Sequence, residues 1–124
     1  MKLLAPISVG ELYDKLSILE IKLERITDDV QLANVRSEVH LLKELINEEN
    51  VSEKLFYELR KINSILWDTE NIIRLFESKK NFGEEFIQAA RKIYTLNGKR
   101  HEIKKAINEK YNSLIVEEKS YVKF

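Results

Sequence analysis

Three features of this 124-residue chain predict an all-α fold: an elongated antiparallel four-helix bundle with an irregular C-terminal tail docked on it. The first is poverty in breakers, since 3 glycines and 1 proline leave little material for turns. The second is a pair of helix-start patterns, Ser8-x-x-Glu11 and Asn81-x-x-Glu84, each followed by apolar residues at helical spacing. The third is a charged fraction of 34%, high for a globular protein and suited to solvated helix faces. The expected organisation is one domain over 1–124, with helices at about 8–26, 28–50, 52–79 and 82–110 and a tail over 111–124.

Residues 1–7 read as an extended lead-in, because Pro6 disfavours helix at Ala5. The first helix then places Val9, Leu12, Leu16, Leu19, Leu23 and Ile26 in one stripe, with Ile18 and Ile21 on the opposite side. That second face implies cover on two sides, or a partner. Thr27-Asp28-Asp29 makes a turn and cap. The second helix turns Leu32, Val35, Val39, Leu42 and Ile46 inward and His40 outward. Ser52 is the expected cap of the third helix, which runs roughly 40 Å at about 1.5 Å per residue. In the fourth, Phe82, Phe86, Ala90, Ile93, Ile103 and Ile107 share a stripe, and its phase continues unchanged through Asn97-Gly98, which favours one continuous helix. The tail lacks a helical period, but Ile115, Val116, Tyr121, Val122 and Phe124 are apolar enough to dock.

Lysine plus arginine and aspartate plus glutamate number 21 each, for a net charge of zero. That balance argues against nucleic acid and against a polybasic membrane anchor. No stretch approaches the roughly 18 apolar residues of a membrane span, and MKLLAPISVG is too short an apolar run for a signal peptide. With no cysteine, the expectation is a soluble cytoplasmic protein.

The third helix carries the unusual feature. Leu55, Leu59, Ile62, Leu66, Ile73 and Phe76 form its apolar stripe, interrupted by Thr69, and beside it run Asn63 and Glu70, flanked by Trp67 and Arg74. Charges also sit on or near the stripes of the first helix (Glu20) and the fourth (Arg100, with Asn97 and Lys104 beside it). Desolvating a bare charge costs several kcal/mol, so such groups must be paired. Arg100 is therefore expected to meet Glu20, Glu70 or both, with Trp67 closing one side. This network is either a structural lock that fixes helix register or a polar cavity for a small anionic ligand. The candidate ligand-binding residues are Glu20, Asn63, Trp67, Glu70, Arg74, Asn97, Arg100 and Lys104.

Other chemistries find little support. Three residues before His40 and His101 stand Ser37 and Gly98, so the Glu-x-x-His pairs of a di-iron bundle are absent. His101-Glu102 begins like a zinc motif, but Lys105 occupies the second ligand position. Of the paired-acid motifs of helical pyrophosphohydrolases, just Glu11-x-x-Asp14 is present. There is no G-x-S-x-G elbow and no P-loop. The expectation is no metal, no cofactor and no assignable catalytic residue.

Four runs carry a family resemblance: PISVGELYDKLSILEIKLERI, Leu66-Trp67-x-x-Glu70-x-x-Ile73-Arg74, FIQAARKIYTLNGKRHEIKKAIN and the closing EEKSY. They occur in the order found in domain-of-unknown-function family 6165, and the chain resembles that family over nearly its whole length. The family comprises small proteins of bacteria and phages, sometimes found beside carbohydrate-modifying enzymes. It usually has an acidic residue where this chain has Asn71 and Gly98, so any role of those two carboxylates is missing here. The resemblance implies one intact domain and supplies no activity. A weaker similarity is to the all-helical chorismate mutases, which hold a dicarboxylate by electrostatics. Glu70, Arg74, Arg100 and Lys104 have suitable chemistry, but the arginine expected to end the first helix would be Arg25, which points away from the stripe.

The leading functional expectation is a non-catalytic binding module, a homodimer using apolar surface left over from Ile18, Ile21, Ile65 and Ile72. The alternative is a small enzyme or ligand-binding protein, chorismate-mutase-like or linked to nucleotide sugars, holding an anionic molecule by Arg74, Arg100 and Lys104.

Overall fold

A computed structural model describes residues 1–46 and 53–124 and contains four helices, α1 (Val9–Arg25), α2 (Asp29–Lys43), α3 (Glu53–Ser78) and α4 (Glu84–Lys110). The expected all-α bundle is what forms. Ser8 caps α1 by accepting the Glu11 amide at 3.0 Å, and Asp28 caps α2 by accepting from Gln31 at 2.8 Å. Two boundaries differ from expectation. α2 stops at Lys43 rather than near Asn50, because the chain tightens into three-residue turns, Leu45 N–H to the Leu42 carbonyl and Ile46 N–H to that of Lys43. The expected junction at Asn50–Ser52 lies outside the described residues. At the other end of α3, Asn81 does not cap α4 directly. Its side chain accepts from the Gly83 amide at 3.2 Å, Gly83 becomes the N-cap, and Phe82 is left outside the helix, half exposed. α4 then runs unbroken through Gly98.

Helix directions follow from cross-chain pairs. Asp14 meets Asn63 and Arg100, Gly10 meets Asn108, and Arg25 pairs with Asp68. Thus α1 runs parallel to α3 and antiparallel to α4. α2 packs against α1 through Val35, whose cluster with Leu12, Leu16 and Leu19 also gathers Val39, Leu42, Ile46 and Phe56. A second cluster joins Tyr13, Leu59 and Ile107, with Phe56, Ile103 and Tyr111 against it. Burial, with the Tyr111 hydroxyl beside it, raises the Tyr13 phenol well above its ordinary value.

α1 is the central helix, and it is short. Its last residue, Arg25, lies opposite Asp68, while α3 continues to Ser78 and α4 returns from Glu84. The molecule therefore has a base, where α1, α2 and the nearer halves of α3 and α4 pack together, and an arm, where α3 and α4 continue as a two-helix hairpin. Between residues 69 and 96, Thr69 and Ala89 are the buried ones. No helix among the described residues is long and apolar enough to cross a membrane.

The tail departs from the expectation of apolar docking. Leu114, Val116, Tyr121, Val122 and Phe124 are exposed, although Phe124 sets its ring edge-on to Tyr94 at 5.2 Å. The chain turns at Asn112, which adopts positive φ (48°), and Ser113 then bridges the Val9 amide and the Ile115 carbonyl. Past this turn the tail is held by charge, through Glu117 and Lys104.

Candidate functional site: a polar cluster joining three helices

The site begins with small residues on α1. Gly10, Asp14, Ser17 and Ile21 fall in line at spacings of four, three and four, a helical stripe about 180° from the leucine stripe. All four are buried, Ser17 at 0%, Asp14 at 1% and Ile21 at 1% exposure. Gly10 lets α4 come close: a Cβ there would stand 2.5 Å from the Lys104 carbonyl oxygen, and its amide donates to Asn108 Oδ1 at 2.7 Å. With the backbones this near, the short Asp14 side chain reaches across to α4.

There Asp14 accepts from Arg100 Nε at 3.0 Å and from the Nη2 of the same guanidinium, a two-point pair. Asn63 of α3 donates its amide to Asp14 Oδ1 at 2.8 Å and to Ser17 Oγ at 2.7 Å, while Ser17 donates back to the Asp14 carbonyl. Lys104, 10% exposed, stands 3.7 Å from Asp14 and donates to Glu11 at 2.7 Å and Glu117 at 3.2 Å. Lys119 closes the chain of charges on Glu117 at 2.6 Å. The Asp14 carboxylate thus ties α1, α3 and α4 into one register, and Glu117 fastens the tail to the same group of charges.

These contacts hold the cations charged. The Asp14 bond raises Arg100 above its ordinary value against the opposing effect of burial. Burial is the largest influence on Lys104 and lowers it, but the bond to Glu11 and the charges of Asp14 and Glu11 together outweigh it, so the net movement is upward. Lys119, then Lys104, holds Glu117 below the usual carboxylate range.

The expected Arg100 partners are corrected here. Glu20 faces α3 instead, and Arg60 takes it at 3.1 Å together with Glu24. Glu70 is exposed and makes no ion pair among the described residues; Asp14 is buried directly opposite Arg100 and wins the guanidinium. Even so, Asn63, Trp67, Glu70, Asn97 and Arg100 surround one cleft of about 240 Å³, floored by Ile18, Ile21 and Leu66. On the other side of Arg100, a second cleft of about 260 Å³ is walled by Glu11, His101, Lys104, Glu117, Lys119 and Tyr121. Arg74 is exposed and lines neither. Ile21, expected to be surplus surface, is buried within the stripe that begins at Gly10.

Asp14, Ser17, Gly10, Asn108 and Glu117 are the members that apolar periodicity overlooks. The available signal was the repeat of small and polar residues ending in Ile21, together with Glu11-x-x-Asp14, which reads as a metal motif and serves as a lysine and arginine clamp. Among the described residues no three histidine or acidic side chains gather as a metal cluster.

No curated protein and no solved structure matches the chain. A family model does, over residues 1–123, in agreement with the resemblance of the four runs. The chain belongs to a family of unknown function, DUF6165.

Proposed function

We propose that this chain is a non-catalytic helical interaction protein that works as a homodimer, with the Asp14 cluster as its structural lock. The observation that carries the reading is charge balance. Arg100 and Lys104 face Asp14 and Glu11, and Lys119 faces Glu117, so three cations meet three carboxylates and none is left over to draw in an anion. Apolar side chains, by contrast, stand uncovered along the arm, Ile72 at 47%, Leu75 at 53% and Phe82 at 50% exposure. The lack of cysteine fits a cytoplasmic setting. Sedimentation velocity between about 1 and 500 µM tests the reading. A monomer–dimer equilibrium is expected, and a monomer across the whole range overturns it.

One observation favours a second reading, a small-molecule site in the His101 cleft. The buried Nδ1 of His101 has no partner among the described residues, and it sits in the same wall as Arg100 and Lys104. A small anion would then have to displace Glu117 from Lys104. A thermal-shift screen of carboxylates, phosphates and nucleotide sugars tests this, since ligand at a hundred times its Kd adds about 2.7 kcal/mol. A stabilising compound whose effect vanishes in Arg100→Ala would favour the pocket over the lock.

A further inference from the structure

The arm of α3 carries a seam at coiled-coil spacing. Ile65, Asp68, Ile72, Leu75 and Lys79 follow one another at three, four, three and four residues, the alternation of a and d positions. This seam is not the more buried stripe of α3, which carries Leu66, Thr69, Ile73 and Phe76. It lies on the outside of the hairpin, with Asp68, Ile72, Leu75 and Lys79 all exposed.

The geometry points to a second copy of this chain as the occupant, docked antiparallel about a two-fold axis between Ile73 and Arg74. The inference rests on the homodimer reading and specifies its interface. The argument is self-complementarity. In an antiparallel coiled pair, each a position layers against a d position of the partner helix. With the axis so placed, Ile72 layers on the second copy's Leu75, Leu75 on its Ile72, and Asp68 meets its Lys79, twice over by symmetry. Lys79 has no ion pair within its own chain among the described residues, so its charge is available. Asp68 holds Arg25 within the chain, but its side chain is 59% exposed and leaves room for a second cation. The flanking g positions, Asn71 and Ser78, are uncharged and bring no like-charge repulsion. The neighbouring registers are poorer matches: moving the axis by half a heptad sets Lys79 against Leu75 in one direction, and Asp68 against Ile72 in the other.

The contact length sets the strength. From Asp68 to Lys79 the seam is about 18 Å long at about 1.5 Å per residue. That places the interface at the small end of specific protein contacts, and the association in the micromolar range.

The chain has no cysteine, so introduced ones report the register directly. Ile72→Cys and Leu75→Cys proteins are mixed, oxidised and mapped by peptide mass. The mixed 72–75 disulfide should dominate, and dominance of 72–72 and 75–75 links, or no link in a protein that dimerises, overturns the register while leaving the homodimer reading standing. Failure of the wild-type chain to dimerise overturns both. As a second measurement, Lys79→Asp should weaken dimerisation about tenfold, because two like-charge contacts form per dimer. Adding Asp68→Lys should restore it, with the monomer's helical content unchanged throughout. If the double variant stays as weak as the single one, the pairing of Asp68 with Lys79 is wrong.

Discussion

The base and the arm use the same two helices under opposite conditions. In the base, α3 and α4 meet α1, and the polar groups of the cluster drawn inside are answered: Asp14 by Arg100 and Asn63, Ser17 by Asn63, Asn108 by the Gly10 amide. In the arm the two helices meet no third helix among the described residues, and their own packing stripe stays partly open at Ile73, Phe76, Phe86 and Ile93. A helix buries its apolar stripe only where another layer stands against it. The shortness of α1, 17 residues against 26 and 27 in α3 and α4, is therefore what divides a region packed on three sides from one left open to solvent.

The largest effect expected is at the lock. Arg100→Ala takes from the Asp14 carboxylate, whose side chain is 2% exposed, its two-point partner and leaves it Asn63 and Lys104 at 3.7 Å, so it should cost about 3 kcal/mol in urea unfolding. Arg100→Met fills the space but leaves the same under-compensated charge. Adding Asp14→Asn removes that charge and keeps an oxygen for Asn63, so the double variant should recover more than half of the loss, a coupling of at least about 1 kcal/mol. Additive losses would mean that the pair does not act as a unit.

Gly10→Ala comes next. The added methyl meets the Lys104 carbonyl, part of the α4 backbone, at 2.5 Å, so α1 and α4 must separate. A loss of about 1–3 kcal/mol is expected. Gly98→Ala is the control: its Cβ meets nothing within 4 Å, and alanine favours helix, so a gain of about 0.5–1 kcal/mol is expected.

Most of the fold was legible because apolar periodicity and caps act locally. Ser8 with Glu11, Asp28, the stripe of Leu12, Leu16 and Leu19, and the continuity of α4 through Gly98 all depend on residues within a turn or two of each other. The candidate site was legible in half. Arg100, Lys104 and Asn63 declared themselves as polar groups on apolar stripes, so a partner could be demanded. Its identity could not, because Asp14 sits on a face with little apolar content until Ile21. A stripe of Gly10, Asp14 and Ser17 looks like solvent-facing surface unless close helix approach is anticipated. Glu20 is the partner that the stripe geometry suggests, because nothing local in the sequence reveals that Arg60 of α3 claims it. The tail differs in the opposite direction: its apolar residues suggest hydrophobic docking, whereas the Glu117 carboxylate, the Ser113 hydroxyl and one ring contact of Phe124 do the fastening.

The contrast between regions predicts a graded response in their apolar residues. Leu59→Ala, at 0% exposure in the base, should cost about 2–5 kcal/mol. Ile73→Ala, partly exposed in the arm, should cost less than about 1.5 kcal/mol in the monomer at low concentration. If the two lose equally, the arm is packed as tightly as the base and the division between them is false.

The smallest effect belongs to the tail, and its sign is set by Glu117. Its folded value is lowered, first by Lys119 and then by Lys104. A lowered carboxylate contributes stability above its ordinary value, about 4.3, and that contribution is lost as pH falls through the folded value. The tail should therefore stay docked at neutral pH and release in acid, as pH falls through the lowered folded value. Because Glu117 remains partly exposed, release should shift global stability by less than about 1 kcal/mol. Amide exchange of residues 117–124 should quicken in acid while that of α1 and α4 holds, and Glu117→Gln should show the fast exchange already at pH 7. If the tail stays protected in Glu117→Gln, the edge-on contact of Phe124 with Tyr94 is the stronger tether. In that case Phe124→Ala, not the charge change, would release it.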